Sequence, residues 1–581
     1  MRNRTAWWMG IGSLVLVSFL ANWASAEADS ASNERSVQPG TLLKMARERL
    51  SEITSGDVAS EQAGSDTEPQ TIVFLALTRP TLPALMGIGH AKSVEKAVVA
   101  AADDLRSKAT FAELAAGRLR IDIATTETDP AKIDNPHPLR VAALPYGPWF
   151  AKDSVLFMPA GFLDGAGDED AESLTSGVRP YDYQSWIEAE DGSPVELYFG
   201  NRRKLGTSPE ELMAAAEAGG DFLMRHMKLN GMFDYSYEPE LNRNNDDYNL
   251  LRHAGTCIAM LELQKAVNDE SMRTTGKLPE SQIFLEGARR AIDYLRKNHT
   301  SGPLEKDKAA DFLAIVEPDE GAKLGGAALM VLSLLREYEV TGDEQILDEA
   351  RAYARFLVFL QEPDGHFISQ YYYGEPDLFP HESIYYPGEA ILALARLAKV
   401  DPKGPWLETA KRGTNWLIDV RDADKSDADL PHDHWLLMGL EEMAPQTDEP
   451  KFLKHAQRIA NSICALQKKE AAYDDWIGSF YDPPRSTPTG CRAEAMAAMI
   501  RLAKFKQLDT DEYLAALKRM ASFQQRCQVT PDNAIFLPCP EQAWGGFRRG
   551  LEEWEVRIDY IQHNMSGLLG LRGILVDSSN E

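Results

Sequence analysis

The sequence has few cysteines, and their spacing fits neither a disulfide scaffold nor a zinc knuckle. Five are spread over 581 residues without a CxxC pair, and an odd number so far apart argues against both kinds of framework. Cys527 and Cys539 flank a proline-containing loop and could pair in an oxidising compartment. Cys257 and Cys464 lie in helical patterns, which predicts plain core residues.

Tracts of basic residues are also lacking, and the formal net charge is −28. Such an acidic surface repels nucleic acid and anionic membranes, so we expect neither as a partner. A phosphate-binding loop is lacking too. The glycine pair Gly87 and Gly89 is not accompanied by the Lys and Ser or Thr that a phosphate cradle needs.

Long apolar runs are confined to the N-terminus. Residues 1–26 combine Arg2 and Arg4, an apolar stretch over residues 7–20 and small residues at 24–26, which is the pattern of a secretory signal peptide. The alternative is an uncleaved anchor, although the stretch is short for a spanning helix of about 20 residues. We therefore expect a secreted or periplasmic protein that is not inserted in a membrane after cleavage.

The next part of the chain changes from a polar segment to a mixed pattern. Residues 27–70 are polar apart from one helical stretch at 41–54, which we interpret as a tether with a docking helix. Residues 71–200 alternate between strand-like and helical patterns, which predicts a small α+β domain. The predicted strands are 71–77, 119–124, 139–144, 155–159 and 195–199, and the predicted helix is 93–107.

The order of these segments resembles the α/β domain of the AMME-syndrome candidate family. The likeness rests on the helical stretch Leu42–Leu50, the strand that starts at Thr71 and the run Val94–Ala102. The Gly-Cys centre of that family is missing, since Met86-Gly87-Ile88-Gly89 stands near its expected place. No functional residue is therefore carried over from this resemblance.

The hydrophobic periodicity of residues 207–575 predicts α-helices in pairs. In each pair a more polar helix is followed by one that is richer in small apolar residues. The polar helices are predicted at 208–228, 282–298, 344–361, 404–418, 450–467 and 511–526. The small-residue helices follow at 249–265, 323–337, 387–399, 433–444, 490–505 and 559–574.

This alternation has a packing reason. Helices of an outer ring bury one apolar face, whereas helices of an inner ring touch neighbours on all sides and favour Ala and Gly, as in residues 324–328. An open solenoid of hairpins would give the same alternation, but six hairpins of irregular length favour closure into a ring. Four polar helices also end in a loop with Gly followed two residues later by Phe, which predicts a shared rim; the glycines are Gly231, Gly365, Gly478 and Gly545.

With these features residues 208–575 resemble the six-hairpin glycosidase-like superfamily, whose toroids include glycoside hydrolases, polysaccharide lyases and N-acylglucosamine 2-epimerases. The predicted fold class is mainly α, an (α/α)6 toroid with a small N-terminal α+β domain. The resemblance implies a carbohydrate-binding funnel on the rim where the inner helices begin. We expect no cofactor.

Glycosidic cleavage needs one carboxylic acid as proton donor and one carboxylate as nucleophile or base. Candidates at the starts of the inner helices are Asp247, Glu389, Glu494 and Asp559. For three of these four positions, a role in helix stability would also explain the acidic residue. Asp246 or Asp247 can be a helix N-cap, and Glu389 and Asp559 can be first-turn acids that the helix dipole favours.

Epimerase or lyase chemistry instead needs a base with a pKa near neutrality, for which His253 and His563 are the catalytic candidates. A metal ion is a third use of such groups. His432 and His434 are two residues apart, which would suit one ion in a loop. A third ligand is not obvious from the sequence, so we expect no metal.

The proposed substrate-binding residues are aromatic or basic, as suits stacking on sugar faces and hydrogen bonding to hydroxyl groups. They are Arg252, Tyr385, Tyr386, His434, Trp435, Arg492, Trp544 and Arg557. The leading hypothesis is an exported glycoside hydrolase that acts on carbohydrate. An epimerase or lyase, and a non-catalytic toroid that binds a glycan or a protein, are the alternatives.

Overall fold

The structure is a computed structural model, and it describes most of the chain. The described residues are 38–51, 71–125, 149–151, 154–156, 182–318, 321–374, 382–471 and 473–580. The predicted signal segment at 1–26 and the predicted strand at 139–144 lie outside these ranges.

An antiparallel sheet with helices against it forms the N-terminal part. Its elements are α1 (Pro39–Ser51), β1 (Thr71–Leu77), β2 (Leu85–Ala91), α2 (Val94–Lys108), α3 (Phe111–Ala116), β3 (Leu119–Thr125), β4 (Trp149–Ala151), β5 (Ser154–Leu156), β6 (Asp182–Glu188), β7 (Pro194–Tyr198) and β8 (Asn201–Arg202). The strand order is β2-β1-β3-β6-β5-β4, and β7 and β8 continue from β6. The strand predicted at 155–159 is thus the shorter β5, and the one predicted at 195–199 is β7.

Helix α2 lies directly on strand β2 because β2 contains two glycines. A Cβ atom on Gly87 would be 2.2 Å from the Ala101 carbonyl oxygen, and one on Gly89 would be 2.0 Å from the Ala97 carbonyl oxygen. Both distances are far below van der Waals contact, so the close approach requires glycine at these positions. The glycine pair therefore has a packing role in this sheet.

The rest of the chain consists of paired helices. The first helix of each pair is α4 (Pro209–Arg225), α6 (Ile283–Asn298), α8 (Glu344–Phe359), α10 (Trp406–Trp416), α12 (Pro450–Leu466) and α14 (Asp511–Arg526). The second helices are α5 (Leu250–Thr275), α7 (Leu324–Thr341), α9 (Tyr386–Val400), α11 (His434–Met443), α13 (Ser486–Phe505) and α16 (Ile558–Asn580). A π-helical turn, Leu417–Arg421, extends α10, and the four-residue helix α15 (Pro540–Ala543) precedes the last hairpin.

The second helices form a closed inner ring. Each packs against the next in the order α5, α7, α9, α11, α13 and α16, and α16 packs back onto α5. This closure confirms the (α/α)6 toroid predicted from the sequence and excludes an open solenoid. None of the helices described here is both long and apolar enough to cross a membrane.

Short strands join the loops at the inner-helix starts. They are β9 (Ser236–Glu238), β10 (Arg243–Asn244), β11 (Thr300–Ser301), β12 (Ala314–Ile315), β13 (Gly321–Lys323), β14 (Gln370–Tyr372) and β15 (Val556–Arg557). Strand β15 pairs with β9, so the last hairpin is tied to the first, and β13 pairs with β14.

The four Gly-x-Phe loops hold the outer ring together at equivalent places. All four glycines have a positive φ, between 86° at Gly545 and 102° at Gly365. A Cβ on Gly231 would be 2.0 Å from the Arg290 carbonyl oxygen of α6, the next outer helix, and a Cβ on Gly545 would be 1.9 Å from the Ala218 carbonyl oxygen of α4. The backbone geometry and the close approach both require glycine. The contact of Gly545 with α4 closes the ring.

Two possibilities that the sequence left open are not found in the structure. The N-cap of α5 is Asn249, whose side chain accepts from the Arg252 backbone N–H at 3.0 Å, and not Asp246 or Asp247. Cys527 and Cys539 are not joined by a disulfide. Cys257 and Cys464 are buried core residues, as predicted.

The N-terminal part docks on the toroid through a buried acidic residue. Asp532 is 3% exposed and accepts hydrogen bonds from Arg118, just before β3, at 2.7 Å and from Arg202 of β8 at 2.5 Å. Backbone bonds continue the contact, because the Ala84 N–H donates to the Ile535 carbonyl at 2.7 Å. Two arginines from the sheet thus share one carboxylate in the toroid.

Candidate active site

Three neighbouring inner helices bring four ionisable side chains together on one rim of the ring. His434 opens α11, Cys491 lies in the second turn of α13 and Glu494 in the third, and His563 lies in the second turn of α16. One nitrogen, sulfur or oxygen atom of each residue lies within 4.8 Å of those of the other three. We call these four residues the axial cluster.

Close packing of α13 on α16 makes this convergence possible. A Cβ atom on Gly490 would be 2.8 Å from the His563 carbonyl carbon and 3.0 Å from the Asn564 backbone nitrogen. With glycine there, the two backbones approach closely enough for Cys491 and Glu494 to reach His563. The spacing of Cys491 and Glu494, three residues apart on a helix, puts both side chains on the same face.

His563 and Glu494 form the closest pair of the axial cluster. The Nδ1 atom of His563 lies 3.0 Å from Oε2 of Glu494, and Glu494 is 6% exposed. Burial opposes a charged imidazole, but the neighbouring Cys491 and Glu494 raise the pKa of His563 well above its usual value. The cationic form of His563 is therefore favoured in this pair.

His434 lies beside this pair but differs from His563 in its hydrogen bonding and in the direction of its pKa shift. It is 3% exposed, and within the described part of the chain neither of its ring nitrogens has a hydrogen-bond partner. Its Nε2 atom is 3.6 Å from Oε2 of Glu494. Burial, and then the charge of His563, lower the pKa of His434 well below its usual value. Neutral His434 and cationic His563 have ring centroids 5.3 Å apart.

Glu389 enters the site from α9. It is 6% exposed, and its Oε2 atom has no hydrogen-bond partner among the described residues. That oxygen occupies the space above Gly325, since a Cβ there would be 2.2 Å from it. Burial and the charge of Asp433 raise the pKa of Glu389 to about 8. The carboxyl group is therefore protonated at neutral pH and can donate a proton.

Asp559 is held by two arginines at the edge of the site. Arg557 donates to its two carboxylate oxygens at 2.6 and 3.0 Å, and the Arg252 Nε lies 3.2 Å from Oδ2. Both guanidinium groups also lie near the Tyr235 ring, at 5.6 Å for Arg252 and 5.9 Å for Arg557. This pairing fixes Asp559 as a charged partner of the arginines.

Arg492 and His432 form a second polar pair on the rim. The Nε of Arg492 donates to Nδ1 of His432 at 2.8 Å, and the other His432 nitrogen lies 2.9 Å from the Ser462 hydroxyl. Arg492 also donates to the Tyr481 hydroxyl at 3.2 Å. Both nitrogens of His432 therefore have partners outside the axial cluster, and the two-histidine metal site considered from the sequence does not form.

Aromatic side chains surround the axial cluster. The Tyr385 ring meets that of His434 edge-on, with centroids 5.9 Å apart, and Trp435 lies 6.1 Å from His563. Tyr385 is 43% exposed, whereas Trp435 is buried. Tyr386 is half-buried and packs above Gly325 near Glu389. Of these three, Tyr385 is the one a ligand would meet first.

The structure places three predicted site residues elsewhere. Asp247 is exposed in the loop before α5. His253 is fully buried against α6, where its nitrogens meet the Tyr248 hydroxyl and, at 2.9 Å, the Ala291 carbonyl. Trp544 lies beside α4, where its carbonyl accepts from Arg225. The geometry gives no support to a catalytic role for His253 or to ligand binding by Trp544.

Cys491 is the member of the axial cluster that sequence reasoning missed. A single cysteine without a CxxC partner carries little information in a sequence. The usable signal was Cys491 together with Glu494, one helical turn apart at the start of an inner helix. Cysteine, carboxylate and two imidazoles are also a donor set that holds a divalent metal ion.

The closed ring of hairpins with a polar centre on one rim defines an (α/α)6 toroid, the fold of the six-hairpin glycosidase-like superfamily. No protein-family model and no curated protein matches the sequence. Neither comparison supports the resemblance of the N-terminal part to the AMME-syndrome candidate family.

Solved structures with a similar chain path include a mannanase, a sugar epimerase and a sugar isomerase. An α-1,6-mannanase of family GH76 from Salegentibacter sp. HEL1_6 has 14% identity and a TM-score of 0.43 over 63% of this chain and 99% of that one. Cellobiose 2-epimerase from Bacillus thermoamylovorans B4167 has 12% identity and a TM-score of 0.47 over 63% of this chain and 100% of that one. A D-mannose isomerase has 15% identity and a TM-score of 0.44 over 64% and 98%. Similarity at this level does not indicate the reaction of this protein.

Proposed function

We propose that this protein is a carbohydrate-active enzyme, most directly a glycoside hydrolase, in which Glu389 is the proton donor. The observation that carries the proposal is a buried carboxyl group with an unbonded oxygen and a pKa of about 8, at the start of an inner helix. A general acid needs its proton at the working pH, and Glu389 keeps it.

The neighbouring groups suit the other half of such a reaction. Cleavage of a glycosidic bond needs a second group that activates water or stabilises the positive charge on the sugar. Of the carboxylates predicted from the sequence, Glu494 lies in the axial cluster, Asp559 is neutralised by two arginines, and Asp247 is exposed in a loop. Glu494 is therefore the second carboxylate that we assign.

Arg252, Arg492 and Arg557 border the site and offer hydrogen-bond donors to sugar hydroxyl groups. Tyr385, exposed above His434, offers a ring face for stacking. A binding surface of this kind suits neutral sugars or sugars with a carboxylate. Export of the mature protein, which the signal-like segment predicts, belongs to the same proposal.

A second function is favoured by one specific observation. Neutral His434 and cationic His563 lie side by side, which supplies one base and one acid for moving a proton at a sugar carbon beside the carbonyl group. Epimerisation or isomerisation of a free sugar is therefore the alternative.

The test is product formation by residues 27–581 on neutral and uronate oligosaccharides and on free aldoses. New reducing ends without ultraviolet absorbance would support hydrolysis by Glu389 and Glu494. Interconversion of free sugars would support the histidine alternative, and absorbance from unsaturated ends would indicate a lyase. A folded protein that binds a glycan without product would overturn both catalytic proposals and favour a binding module.

A further inference from the structure

The axial cluster has a second property that goes beyond the proposed sugar chemistry. We propose that His434, Cys491, Glu494 and His563 form a binding site for a divalent transition metal ion, and that Zn²⁺ is the ion this donor set suits best. The inference rests on the geometry of four side chains and does not depend on which sugar reaction the protein catalyses.

The chemical types of the donors favour zinc. Two imidazoles, one thiol and one carboxylate are each common zinc ligands, and four of them complete a tetrahedral shell. A site made of carboxylates alone would instead suit Mg²⁺ or Ca²⁺. When Cys491 binds as a thiolate, its charge and that of Glu494 balance the two positive charges of the ion. This charge balance stabilises a buried metal site, because a net charge that is removed from water is energetically unfavourable.

The distances are close to those a metal requires. In a tetrahedral zinc site, bond lengths of about 2.0–2.3 Å put donor atoms roughly 3.3–3.8 Å apart. Here Oε2 of Glu494 is 3.0 Å from Nδ1 of His563 and 3.6 Å from Nε2 of His434, and the donor atoms of all four residues lie within 4.8 Å of one another. The widest pair would need to close by about 1 Å, which side-chain rotation can supply.

The unbonded state of His434 is the independent observation that points to a ligand. A buried imidazole normally has a partner on at least one nitrogen, because a buried polar group without one loses the hydrogen bonds it made to water. His434 is 3% exposed and, among the described residues, lacks a partner on both nitrogens. A bound metal ion would satisfy one nitrogen directly. The nearby His432, by contrast, has both nitrogens bonded.

The helices hold the four ligands firmly in place. His434 follows the N-cap Asp433, whose carboxylate accepts from the Leu436 N–H at 3.0 Å and from Arg421 at 2.9 Å. Cys491 and Glu494 share one face of α13, and His563 is held against that face through the close approach at Gly490. Ligands on three packed helices give a rigid site, which favours metal affinity.

The same cluster without metal would be the hydrogen-bonded pair of His563 and Glu494 with His434 beside it. If a metal ion is bound, the two histidines are ligands and cannot exchange protons with a sugar. Glu494 would then be a ligand as well, and a shell of four side chains leaves no position on the ion for a water or sugar oxygen. A metal ion bound by all four residues would therefore be a structural ion, and it would exclude both the histidine alternative and the use of Glu494 as the second carboxylate of the hydrolase.

The experiment is metal analysis of the purified mature protein, with sugar turnover measured separately. The protein is stripped with a chelator, loaded with Zn²⁺ or Co²⁺, passed over a desalting column and measured for metal by mass spectrometry. We expect one ion per chain, an increase in melting temperature on loading, and a thiolate-to-cobalt charge-transfer band in the Co²⁺ form.

Two pairs of variants make the assignment specific. Cys491→Ser should remove the charge-transfer band, whereas Cys539→Ser, outside the axial cluster, should retain it. His434→Gln should weaken Zn²⁺ binding by more than about a hundredfold, whereas His432→Gln, two residues away, should bind Zn²⁺ as the unmodified protein does.

The outcomes separate the metal site from the proposed function. Failure of the stripped wild-type protein to retain Zn²⁺ or Co²⁺ would overturn the site even if sugar turnover is found. A cobalt band that survives in Cys491→Ser would also overturn it. Stoichiometric metal bound through these residues in a protein that turns over no sugar would support the site and count against the enzyme.

Discussion

The Nδ1 atom of His563 lies 3.0 Å from Oε2 of Glu494, although 69 positions separate the two residues in the chain. The contact joins the last inner helix, α16, to its neighbour α13. The two helices are consecutive in the inner ring, and Gly490 allows them to approach closely. The polar axial cluster thus depends on the packing of a small residue.

Replacement of Glu389 by Gln tests the proton donor. The amide keeps the shape of the carboxyl group but cannot transfer a proton, so we expect kcat to fall by about 10²–10⁴-fold. The fold should persist because the carboxyl is already uncharged at neutral pH. Glu382→Gln, an exposed residue shortly before α9, is the control and should leave kcat unchanged. Equal activity of Glu389→Gln and the wild type would remove Glu389 from the mechanism.

The pH dependence of turnover gives a second test of the same group. The pKa of Glu389 is raised from its usual value to about 8, chiefly by burial. The protonated form prevails below that pH, so kcat should decline as the pH rises through about 8. Because the folded state binds this proton more tightly than the unfolded state, folding stability should also fall between about pH 4.5 and 8. In Glu389→Gln, thermal unfolding should lose this component of its pH dependence.

Gly325 and Gly326 offer a matched pair of substitutions in α7. A Cβ on Gly325 would be 2.2 Å from Oε2 of Glu389 and 2.7 Å from the Tyr386 ring, so Gly325→Ala must displace the carboxyl group. A displacement of about 1 Å can reduce kcat by roughly a hundredfold. A Cβ on Gly326 would meet its nearest atom, on Ile315, at 3.5 Å, which is ordinary contact. Gly326→Ala should therefore retain activity, and similar kinetics for both variants would show that the position of Glu389 is unimportant.

The sequence was sufficient to predict the twelve helices and their alternation because small residues recur at helical spacing along the inner helices. It also indicated that Glu389, Glu494, His434 and His563 would share one rim, since each lies at an inner-helix start. It could not tell which side of its helix each residue occupies. His253 faces α6, one helical position away from Arg252, which faces Asp559. That choice depends on helix rotation, which packing sets over long range.

Asp559→Asn separates a structural role from a catalytic one. The carboxylate is buried and pairs with Arg252 and Arg557. Its loss would leave two partly buried guanidinium groups without their counter-charge, which should destabilise the fold by about 2 kcal/mol. We expect a lower melting temperature with a modest change in kcat at temperatures where the variant is folded. A large loss of kcat without loss of stability would instead indicate that Asp559 takes part in catalysis.

Asp532→Asn tests how the N-terminal part is attached to the toroid. The side chain is 4% exposed and accepts from Arg118, just before β3, and from Arg202 of β8. An amide of the same shape keeps one acceptor oxygen but removes the charge that both arginines share, so the contact should loosen while each part stays folded. Hydrogen exchange should increase in β3, β8 and the loop around Asp532 and stay unchanged in the inner helices. The control is Asp474→Asn, because Asp474 is exposed and pairs weakly with Arg203 at 3.5 Å. Unchanged exchange at β3 and β8 in Asp532→Asn would show that backbone and apolar contacts, such as the Ala84 bond to Ile535, are enough to hold the two parts together.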